Sequence, residues 1–409
     1  MKTAKILMLV MALLKTVDSA FAQTWTPTSS PSNRWVTVAS SADGSKLFAG
    51  GWSWVYGVST NSGTTWIANT QPQNGSTYGS WSCIASSADG TRLAGTIGNV
   101  IWVSTNSGAN WLSNNVPGVA FFGSMALSAD GTKLVAVVGD NNTPGPIFIS
   151  TDSGVTLTRT MAPTNNWMSV ASSADGTKLV AAAMNLHSQC GFIYASMDSG
   201  LTWALTSAPT NNEWVAVASS ADGSKLVATS AAAFVPNQIY GGIYTSTNFG
   251  LTWVSNNVPD AYWLSVASSA DGTRLVAVAI EPGGWVYTST NSGTTWISNN
   301  VPNESWMQVA SSADGNELVL AALGDQSHNP GPIYISQTTA SPRLNLAPTS
   351  GDLKLSWIVP STNFVARQSS DLGSWMDVTN LPVLNLTNLQ AEVILSPTGS
   401  SGFYRLKTP

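Results

Sequence analysis

The stretch WLSVASSADGTRLVAVA (Trp263–Ala279), followed by WVYTSTNSGTTW (Trp285–Trp296), is the clearest copy of a unit that recurs along this chain. Each of seven units holds one Ala-Asp-Gly turn, whose glycine falls at Gly44, Gly90, Gly131, Gly176, Gly223, Gly272 and Gly315. The intervals between these glycines run from 41 to 49 residues. A period in this range predicts a repeat architecture in which each unit buries its apolar face against its neighbours.

Each unit reads as four short strands joined by tight turns. A Trp-x-x-Val-Ala-Ser strand and a Lys/Arg-Leu-Val-Ala strand flank the Ala-Asp-Gly turn, where Asp bonds its own backbone and Gly accepts a positive φ. A third strand, such as Gly242–Ser246, leads through a Thr-Asn-Ser-Gly turn into a fourth strand at Thr-Thr-Trp. Four antiparallel strands in each of seven such units predict an all-β chain folded as a seven-bladed β-propeller.

The two ends of the repeat array complement each other. The seventh unit reaches its third strand at Ile333–Ser336, but no closing Trp follows. The segment that begins at Gln23 (QTWTPTSS) matches the end of a unit. We therefore expect the strand at Trp25 to complete the blade that Trp306 begins, because this exchange closes the ring and removes free sheet edges.

The turn before the fourth strand carries a recognisable motif. Ser150–Leu157 (STDSGVTL) and Ser196–Trp203 (SMDSGLTW) resemble the Asp-box, or bacterial neuraminidase repeat, S-x-D-x-G-x-x-W. Four sibling turns replace Asp with an Asn that can form the same turn, at Asn61, Asn106, Asn248 and Asn291. The chain is thus similar to the Asp-box propellers of sialidases, sortilin-type receptors, oligoxyloglucan hydrolases and photosystem II assembly factors. The resemblance implies a propeller in which the box is a fold element, and it leaves the activity open.

Three segments with different compositions predict the domain organisation. Residues 1–22 read as a secretory signal peptide, with Lys2 and Lys5 before the apolar run Ile6–Leu14 and a small-residue cleavage site. Residues 23–340 form the propeller. Residues 341–409 alternate apolar and polar residues over short runs, which predicts a small C-terminal β-sandwich with Trp357, Trp375 and Phe403 in its core. This module resembles those ending in FYRL on many secreted bacterial repeat proteins. From the signal peptide we expect a secreted protein that is extracellular, periplasmic or at the cell surface.

Composition excludes several classes of partner. Only 9% of the residues are charged and the isoelectric point is about 4.9. Removing the leader would change the formal charge from −5 to −7, and an acidic chain without a basic face does not predict nucleic-acid binding. After the leader, no run is long enough to span a bilayer as a helix. Cys83, Cys190 and the two histidines lack metal-ligand spacing, so we predict no metal site. We also predict no cofactor and a monomeric chain.

The 18 tryptophans could suggest sugar binding, since aromatic side chains offer flat apolar faces. Most of them hold repeat positions, which instead predicts a place in the core between blades. The blade-opening residues are Trp35, Trp81, Trp167, Trp214, Trp263 and Trp306, with Phe122 in the third unit. Within the propeller, Trp52 lies outside this pattern.

Strand alternation predicts that the Ala-Asp-Gly turns and the box turns share one rim of the propeller. The opposite rim would carry the connections between blades and the loops between second and third strands, where propellers usually bind ligands. Its acids and histidines are Asp140, Glu213, Asp260, Glu281, Glu304, Asp325, His187 and His328. They form either ordinary solvated loop charge or a polar mouth around the central channel.

The loops between second and third strands lengthen in blades 3, 4, 5 and 7. The longest, Ser230–Gly242, carries Phe234, Val235 and Tyr240, apolar groups that a plain solvent loop does not need. We predict a ligand-binding surface centred on blades 4 to 6 and formed by Tyr240, Tyr262, Glu213 and Glu281. The alternative is that the blade-5 loop folds onto its own sheet and buries its rings.

The arginines argue against a sialidase, which needs a clamp of three arginines on the substrate carboxylate. The propeller holds four, and Arg92 and Arg274 occupy the repeat's Lys position while Arg159 follows a box, which leaves Arg34 alone on the ligand rim. The predicted function is therefore that of a secreted bacterial binding or scaffold protein without catalytic residues, with a protein or glycan ligand. The alternative is a glycoside hydrolase that uses rim carboxylates of adjacent blades, such as Glu213 with Asp260 or Glu281 with Glu304.

Overall fold

The computed structural model describes residues 23–53, 55–70, 79–116, 118–119, 121–139, 144–185, 190–231, 241–281, 283–325, 329–338, 344–349, 352–359, 364–370, 372–396 and 402–407. The side chains of Asn185 and Glu281 are not part of this description, and the predicted leader lies outside it. Within these ranges the chain is all-β and contains no helix. Accordingly, the described residues include no helix with the length and apolar character needed to cross a membrane.

Seven four-stranded antiparallel sheets form the blades of a β-propeller. Strands are numbered along the chain. The innermost strands are β2 (Trp35–Ser40), β6 (Trp81–Ser86), β10 (Phe122–Leu127), β14 (Trp167–Ser172), β18 (Glu213–Ser219), β22 (Tyr262–Ser268) and β26 (Glu304–Ser311). The second strands are β3 (Leu47–Gly51), β7 (Leu93–Ile97), β11 (Leu134–Gly139), β15 (Leu179–Asn185), β19 (Leu226–Ala231), β23 (Leu275–Glu281) and β27 (Glu317–Asp325).

The outer half of each blade is shorter and more exposed. The third strands are β4 (Tyr56–Ser59), β8 (Val100–Ser104), β12 (Pro144–Ser150), β16 (Cys190–Ser196), β20 (Ile243–Ser246), β24 (Val286–Ser289) and β28 (Tyr334–Gln337). The outermost strands are β5 (Ile67–Asn69), β9 (Leu112–Asn115), β13 (Thr158–Arg159), β17 (Ala204–Leu205), β21 (Val254–Ser255), β25 (Ile297–Ser298) and, in blade 7, β1 (Thr26–Pro27).

The Ala-Asp-Gly turn is fixed by its own side chains. In blade 6, Asp271 accepts hydrogen bonds from the Ser269 hydroxyl at 2.7 Å and from the Thr273 backbone N–H at 2.9 Å. Gly272 follows with a φ of 66°, a conformation that favours glycine. The same arrangement recurs in the other blades, so this short motif decides where each inner hairpin turns.

The alanine before each Asp joins its blade to the next one. The backbone N–H of Ala42 donates to the carbonyl of Ala88 at 2.8 Å, and the series continues around the molecule until Ala313 donates to Ala42 at 2.7 Å. Its members are Ala42, Ala88, Ala129, Ala174, Ala221, Ala270 and Ala313, and we call them the alanine ring. Because every bond links neighbouring blades, the alanine ring forms an unbroken circle of backbone hydrogen bonds around the propeller.

The blade-opening aromatic residues form the core between blades, as predicted. All six tryptophans of this class and Phe122 have 0% exposure. Trp167 packs with Val135 and Val137 of the preceding blade and meets the ring of Tyr194 edge-on at 5.5 Å. Edge-to-face aromatic pairs and large buried rings both contribute strongly to stability, so one repeated aromatic position supplies much of the interface between blades.

The ends of the array close the ring as expected. In blade 7, β1 pairs with β28, with Thr26 opposite Ile335 and Pro27 opposite Tyr334. Trp25 directly precedes this strand and is buried in a cluster with Trp306 and Tyr334. An outer strand from the N-terminal end therefore completes a blade whose other three strands come from the end of the array.

The predicted fourth strand at Thr-Thr-Trp was placed too early. The observed outer strands begin after the Trp, as β5 does at Ile67. The box holds the preceding residues in the turn, because Asn61 Oδ1 accepts the N–H of Thr65 at 2.9 Å. The box turn therefore runs to the second Thr, and Trp66 forms its exit.

Two further sheets lie between residues 345 and 407. One contains β29 (Asn345–Pro348), β30 (Leu353–Ile358), β34 (Gln390–Leu395) and β33 (Val383–Asn385), and the other contains β32 (Met376–Asp377), β31 (Val365–Ser369) and β35 (Phe403–Lys407). Trp357 is buried in their core, and Trp375 is half-buried beneath the guanidinium of Arg405. The prediction for Phe403 was wrong: it is 40% exposed, because alternation in β35 turns Tyr404 and Leu406 to the core instead.

Candidate functional site

Each blade joins its two turns on the same rim, as the sequence predicted. In blade 4 the backbone N–H of Ser199, in the box, donates to the carbonyl of Thr177 in the Ala-Asp-Gly turn at 2.8 Å. The corresponding pairs elsewhere are Ser62 with Ser45, Ser107 with Thr91, Ser153 with Thr132, Phe249 with Ser224, Ser292 with Thr273 and Thr338 with Asn316. We call this end the turn rim and the opposite end, where the inner strands begin, the loop rim.

Cations clamp the seams between blades at the turn rim. The ammonium of Lys178 in blade 4 donates at 2.7 Å to the carbonyl of Asp222 in blade 5. Lys46, Lys133 and Lys225 make the equivalent bond, while Arg92 and Arg274 reach Ser153 and Asn316. These cations are structural, which places Arg92 and Arg274 on the rim opposite the predicted ligand surface.

The C-terminal sheets supply apolar contacts to the turn-rim end of the central channel. Leu389 and Ile358 pack against the alanine ring. A cavity of about 160 Å³ lies there, lined by serines, alanines and Leu127 of the inner hairpins together with Leu389. Small residues therefore form most of this end of the channel, and Leu389 lines it from outside the propeller.

The loop rim carries polar residues at the start of consecutive inner strands. Glu213, Tyr262 and Glu304 are the first residues of β18, β22 and β26 in blades 5, 6 and 7. Neighbouring inner strands contact each other around the ring. The structure therefore brings two of the predicted site residues, Glu213 and Tyr262, to adjacent strands at one rim.

Of the other two predicted site residues, the structure describes only the backbone of Glu281. The backbone of Glu281 lies opposite Tyr262 across β22 and β23, which keeps Glu281 on the loop rim. Tyr240 lies outside the described residues, as do Phe234 and Val235. The predicted choice between an exposed blade-5 loop and one folded onto its sheet therefore stays a prediction.

The two glutamates are buried and incompletely hydrogen-bonded. Glu213 is 3% exposed and Glu304 is 8% exposed, and in each the Oε2 atom has no hydrogen-bond partner among the described residues. Burial raises the pKa of both carboxyls, because desolvation disfavours the charged form. Each carboxyl therefore keeps one buried oxygen without a hydrogen-bond partner near the loop rim.

Asp260, proposed as the hydrolase partner of Glu213, does not share this environment. Asp260 is exposed, whereas Glu213 is buried. Glu304 lies opposite Asp325 across β26 and β27, and the charge of Asp325 adds to the raised pKa of Glu304. Among the described residues no group of three or more His, Cys, Asp or Glu side chains could hold a metal ion.

Arg34 and Trp52 form a pair that the sequence does not predict. The guanidinium of Arg34 lies over the Trp52 ring, 4.7 Å from its centroid. Trp52 is 44% exposed, whereas the blade-opening tryptophans are fully buried. The signals available were that Trp52 stands outside the repeat and that Arg34 precedes a blade-opening Trp, but nothing in the one-dimensional pattern shows that they stack.

Comparison with known proteins supports the fold and not a family. No family model matches the chain, and no curated protein matches its sequence. Among solved structures, one described as YCF48 bound to D1 peptide aligns with a TM-score of 0.56 at 13% identity, covering 78% of this chain and 98% of that one. Hydrazine synthase from Kuenenia stuttgartiensis aligns with a TM-score of 0.59 at 13% identity, covering 77% and 99%. The GH74 xyloglucanase from Xanthomonas campestris aligns with a TM-score of 0.57 at 14% identity, covering 82% of this chain and 59% of that one.

These neighbours are propellers, and they include a protein with a bound peptide and a xyloglucanase. At such low identity the similarity concerns architecture, since one fold hosts many unrelated functions. The chain is therefore a β-propeller, and its function must be argued from its own side chains.

Proposed function

We propose that this protein is a non-enzymatic, Asp-box-type propeller that binds a protein or glycan ligand on its loop rim after secretion from a bacterial cell. The observation that carries the proposal is a pair of buried, unpartnered carboxyl oxygens near the loop rim. On the turn rim, Lys178 and its counterparts clamp every seam except the closing one, where Glu317 lies, and the alanine ring is fully bonded. On the loop rim, Glu213 and Glu304 each keep a buried oxygen without a partner in the described part of the chain. Buried polar atoms are normally satisfied, so these oxygens suit a ligand that supplies hydrogen bonds.

The box geometry supports the Asp-box assignment. In blade 4 the Ser196 hydroxyl donates to Asp198 at 2.8 Å, and the N–H of Thr202 donates to the same carboxylate oxygen at 2.9 Å. Asn248 makes the corresponding contacts in blade 5. Because these side chains bond within their own turn, the boxes act as fold elements and not as the binding surface.

A peptide-bound propeller among the structural neighbours shows that this fold can hold a polypeptide. Secretion is supported by the leader-like sequence of residues 1–22.

The test is a ligand screen followed by rim-specific variants. Residues 23–409 would be screened on a glycan array and against a random-peptide phage library, and each hit would be measured by calorimetry. Glu213→Gln and Tyr262→Ala, on the loop rim, are expected to weaken binding by roughly tenfold at an unchanged melting temperature. Leu201→Ala is the matched control, since Leu201 is 65% exposed in a box on the turn rim. Binding that responds to Leu201→Ala and not to the loop-rim variants would refute the proposal.

A second candidate is a glycoside hydrolase. It is favoured by the raised pKa of Glu213 and of Glu304, which suits a carboxyl that must donate a proton. An activity screen on neutral polysaccharides decides the point. Turnover abolished by Glu213→Gln or Glu304→Gln would establish the enzyme, and turnover that survives both substitutions would exclude these carboxyls as its catalytic groups.

A further inference from the structure

We propose that β35, an edge strand of the C-terminal sheets, binds an extended peptide segment that carries acidic side chains at alternate positions. The peptide would add one strand to the sheet of β32, β31 and β35 by backbone hydrogen bonding, and its acids would pair with Arg405 and Lys407. This surface belongs to the C-terminal sheets, so the inference goes beyond the loop-rim function and does not depend on it.

The edge of β35 is open to a further strand. β35 (Phe403–Lys407) has five residues and lies at the end of its sheet, where it pairs with β31. The other three edge strands of the C-terminal sheets are shorter: β29 ends at Pro348, β33 follows Pro382, and β32 has two residues. Short strands and prolines discourage the addition of a strand, because they leave few free backbone groups or remove an N–H. β35 has neither feature.

Alternation along β35 sorts its side chains onto two faces. Tyr404 and Leu406 pack against the core of the C-terminal sheets. Phe403, Arg405 and Lys407 are exposed on the outer face. Opposite residues of paired strands share a face, with their Cβ atoms about 4.5–5.5 Å apart. The edge therefore offers an added strand one aromatic and two cationic neighbours, each two residues apart.

The cations of this edge are not balanced by acids. Arg367, opposite Arg405 on β31, is already paired with Asp377 at 2.8 Å between Nε and Oδ1. Arg405 and Lys407 form no ion pair within the described part of the chain. Since the whole chain has a formal charge of −5, this edge differs in sign from the net charge of the molecule. Complementary charge therefore favours an acidic partner.

Arg405 is held in position for a carboxylate. Its guanidinium carbon lies 4.0 Å from the centroid of the Trp375 ring. The indole N–H of Trp375 donates to the carbonyl of Leu372 at 3.2 Å, which orients the ring. A guanidinium that stacks on an aromatic ring keeps its N–H groups in the plane, so it can still bind a carboxylate through two parallel hydrogen bonds. The stacking also reduces the side-chain entropy that binding would cost.

A second copy of this chain does not fit the same edge. Antiparallel pairing of two β35 strands about their centre would place Arg405 opposite Arg405. Like charges directly opposite each other are destabilising, and charged edge strands disfavour such self-association. The same charges attract a strand with Asp or Glu in those positions, so the edge discriminates against self-pairing and in favour of an acidic peptide.

The experiment measures the binding of dye-labelled octapeptides to residues 23–409 by fluorescence anisotropy. The probe is TETETETE, and TKTKTKTK is the matched control of opposite charge. We expect TETETETE to bind with a Kd below about 1 mM and at least about tenfold more tightly than TKTKTKTK. Two further versions of TETETETE carry N-methyl groups on every Thr or on every Glu amide, which keeps the charges. The version whose blocked amides face β35 is expected to bind at least about tenfold more weakly than the parent peptide.

Charge reversal tests the residues themselves. Arg405→Glu/Lys407→Glu should reverse the preference, so that TKTKTKTK binds more tightly than TETETETE. Lys407→Glu alone, which leaves the stacked Arg405 in place, should reduce the preference for TETETETE by at least about threefold. Arg159→Glu is the control, because Arg159 is exposed on the outermost strand of blade 3, and it should leave both affinities unchanged.

Three results would overturn the inference. They are equal binding of the two peptides, a preference for TETETETE that survives both charge-reversal variants, and N-methylated versions that both bind as tightly as the parent peptide. The loop-rim variants Glu213→Gln and Tyr262→Ala should leave peptide binding to β35 unchanged, so failure of this inference and failure of the loop-rim function remain distinguishable.

Discussion

Glu317 of blade 7 packs over Gly44 of blade 1, so closely that a Cβ built on Gly44 would lie 2.9 Å from the Oε2 atom of Glu317. At the other six seams the corresponding glycine packs on the stem of a Lys or Arg of the preceding blade, from Lys46 over Gly90 to Arg274 over Gly315. The closing seam therefore replaces a clamping cation with a carboxyl. Glu317 is 1% exposed, and its Oε1 atom has no partner within the described residues.

The carboxyl in place of a cation predicts that the contact between blades 7 and 1 weakens as pH rises. Burial raises the pKa of Glu317 to about 7, against hydrogen bonds from Gln337 and Ser62 that lower it, and Asp314 and Asp43 add repulsion. Because the pKa of Glu317 is raised in the folded state, its contribution to stability is complete below the ordinary glutamate pKa of 4.5 and is lost as pH rises toward about 7. The loss is on the order of 3 kcal/mol. Glu317→Gln should therefore match the wild type at pH 4.5 and be more stable by up to this amount at pH 8, measured by urea unfolding.

Glu392→Gln is a control of opposite sign. Burial of Glu392 is outweighed by hydrogen bonds from Asn388, Asn385 and Lys354, so its pKa is lowered. Removing that carboxylate should reduce stability at pH 8 and matter less near pH 4. If Glu317→Gln shows no gain at pH 8 relative to pH 4.5, the seam does not carry a buried titrating group.

Removing residues 23–30 should lower the melting temperature of the whole propeller. The segment supplies β1, and the N–H of Thr28 donates to the Ile333 carbonyl at 2.8 Å. Trp25→Ala alone should lower the free energy of unfolding by about 3–5 kcal/mol, since Trp25 is buried in a cluster with Trp306 and Tyr334. Ile67→Ala is the control in the equivalent outer strand of blade 1, where the side chain is 67% exposed, and it should stay within about 0.5 kcal/mol. An unchanged melting curve after the deletion would show that β1 does not close the ring.

The two box aspartates should be replaceable by Asn. Hydrogen bonds from the Thr156 hydroxyl and N–H, with one from Ser150, lower the pKa of Asp152 to about 2, and Asn makes the same turn in four sibling boxes. Asp152→Asn and Asp198→Asn should keep the fold and any ligand binding at pH 7. Since a lowered pKa gives stability that is lost as pH falls, Asp152→Asn should lose less stability than the wild type loses between about pH 4 and pH 2. Lost binding by a folded variant would place these acids in a ligand site.

Leu389 should hold the C-terminal sheets against the alanine ring. Its contact with the ring is apolar, so Leu389→Asn should increase proteolytic cleavage of the C-terminal sheets while the propeller's melting temperature changes little. Asn tolerates the positive φ of 54° at this position, which isolates the packing contribution. Leu381→Asn is the control, because Leu381 is 86% exposed. Equal cleavage of both variants would mean that Leu389 does not anchor the C-terminal sheets.

The sequence by itself determined the seven blades, the closing role of the N-terminal strand and the shared rim of the two turns. These features follow from local chemistry repeated at a fixed period: Asp and Gly set each inner turn, and one aromatic position per unit sets the core. The boundary of the outer strands was missed because side-chain bonds such as Thr65 N–H to Asn61 extend the turn beyond what alternation indicates. Alternation also has no fixed phase in a short terminal strand, which is why Phe403 was assigned to the wrong face.

The tertiary structure decided which rim residues meet. Glu213 and Tyr262 were placed on one rim from strand order alone, but the burial of Glu213 and the unfilled oxygen of Glu304 depend on packing from residues distant in sequence. Arg34 and Trp52 stack across a hairpin, and ring closure brings residue 331 of blade 7 beside residue 33. The repeats form a regular scaffold because every unit has the same turn and core residues. A binding site arises at the positions where the units differ, and closure of the propeller decides which of these residues lie together.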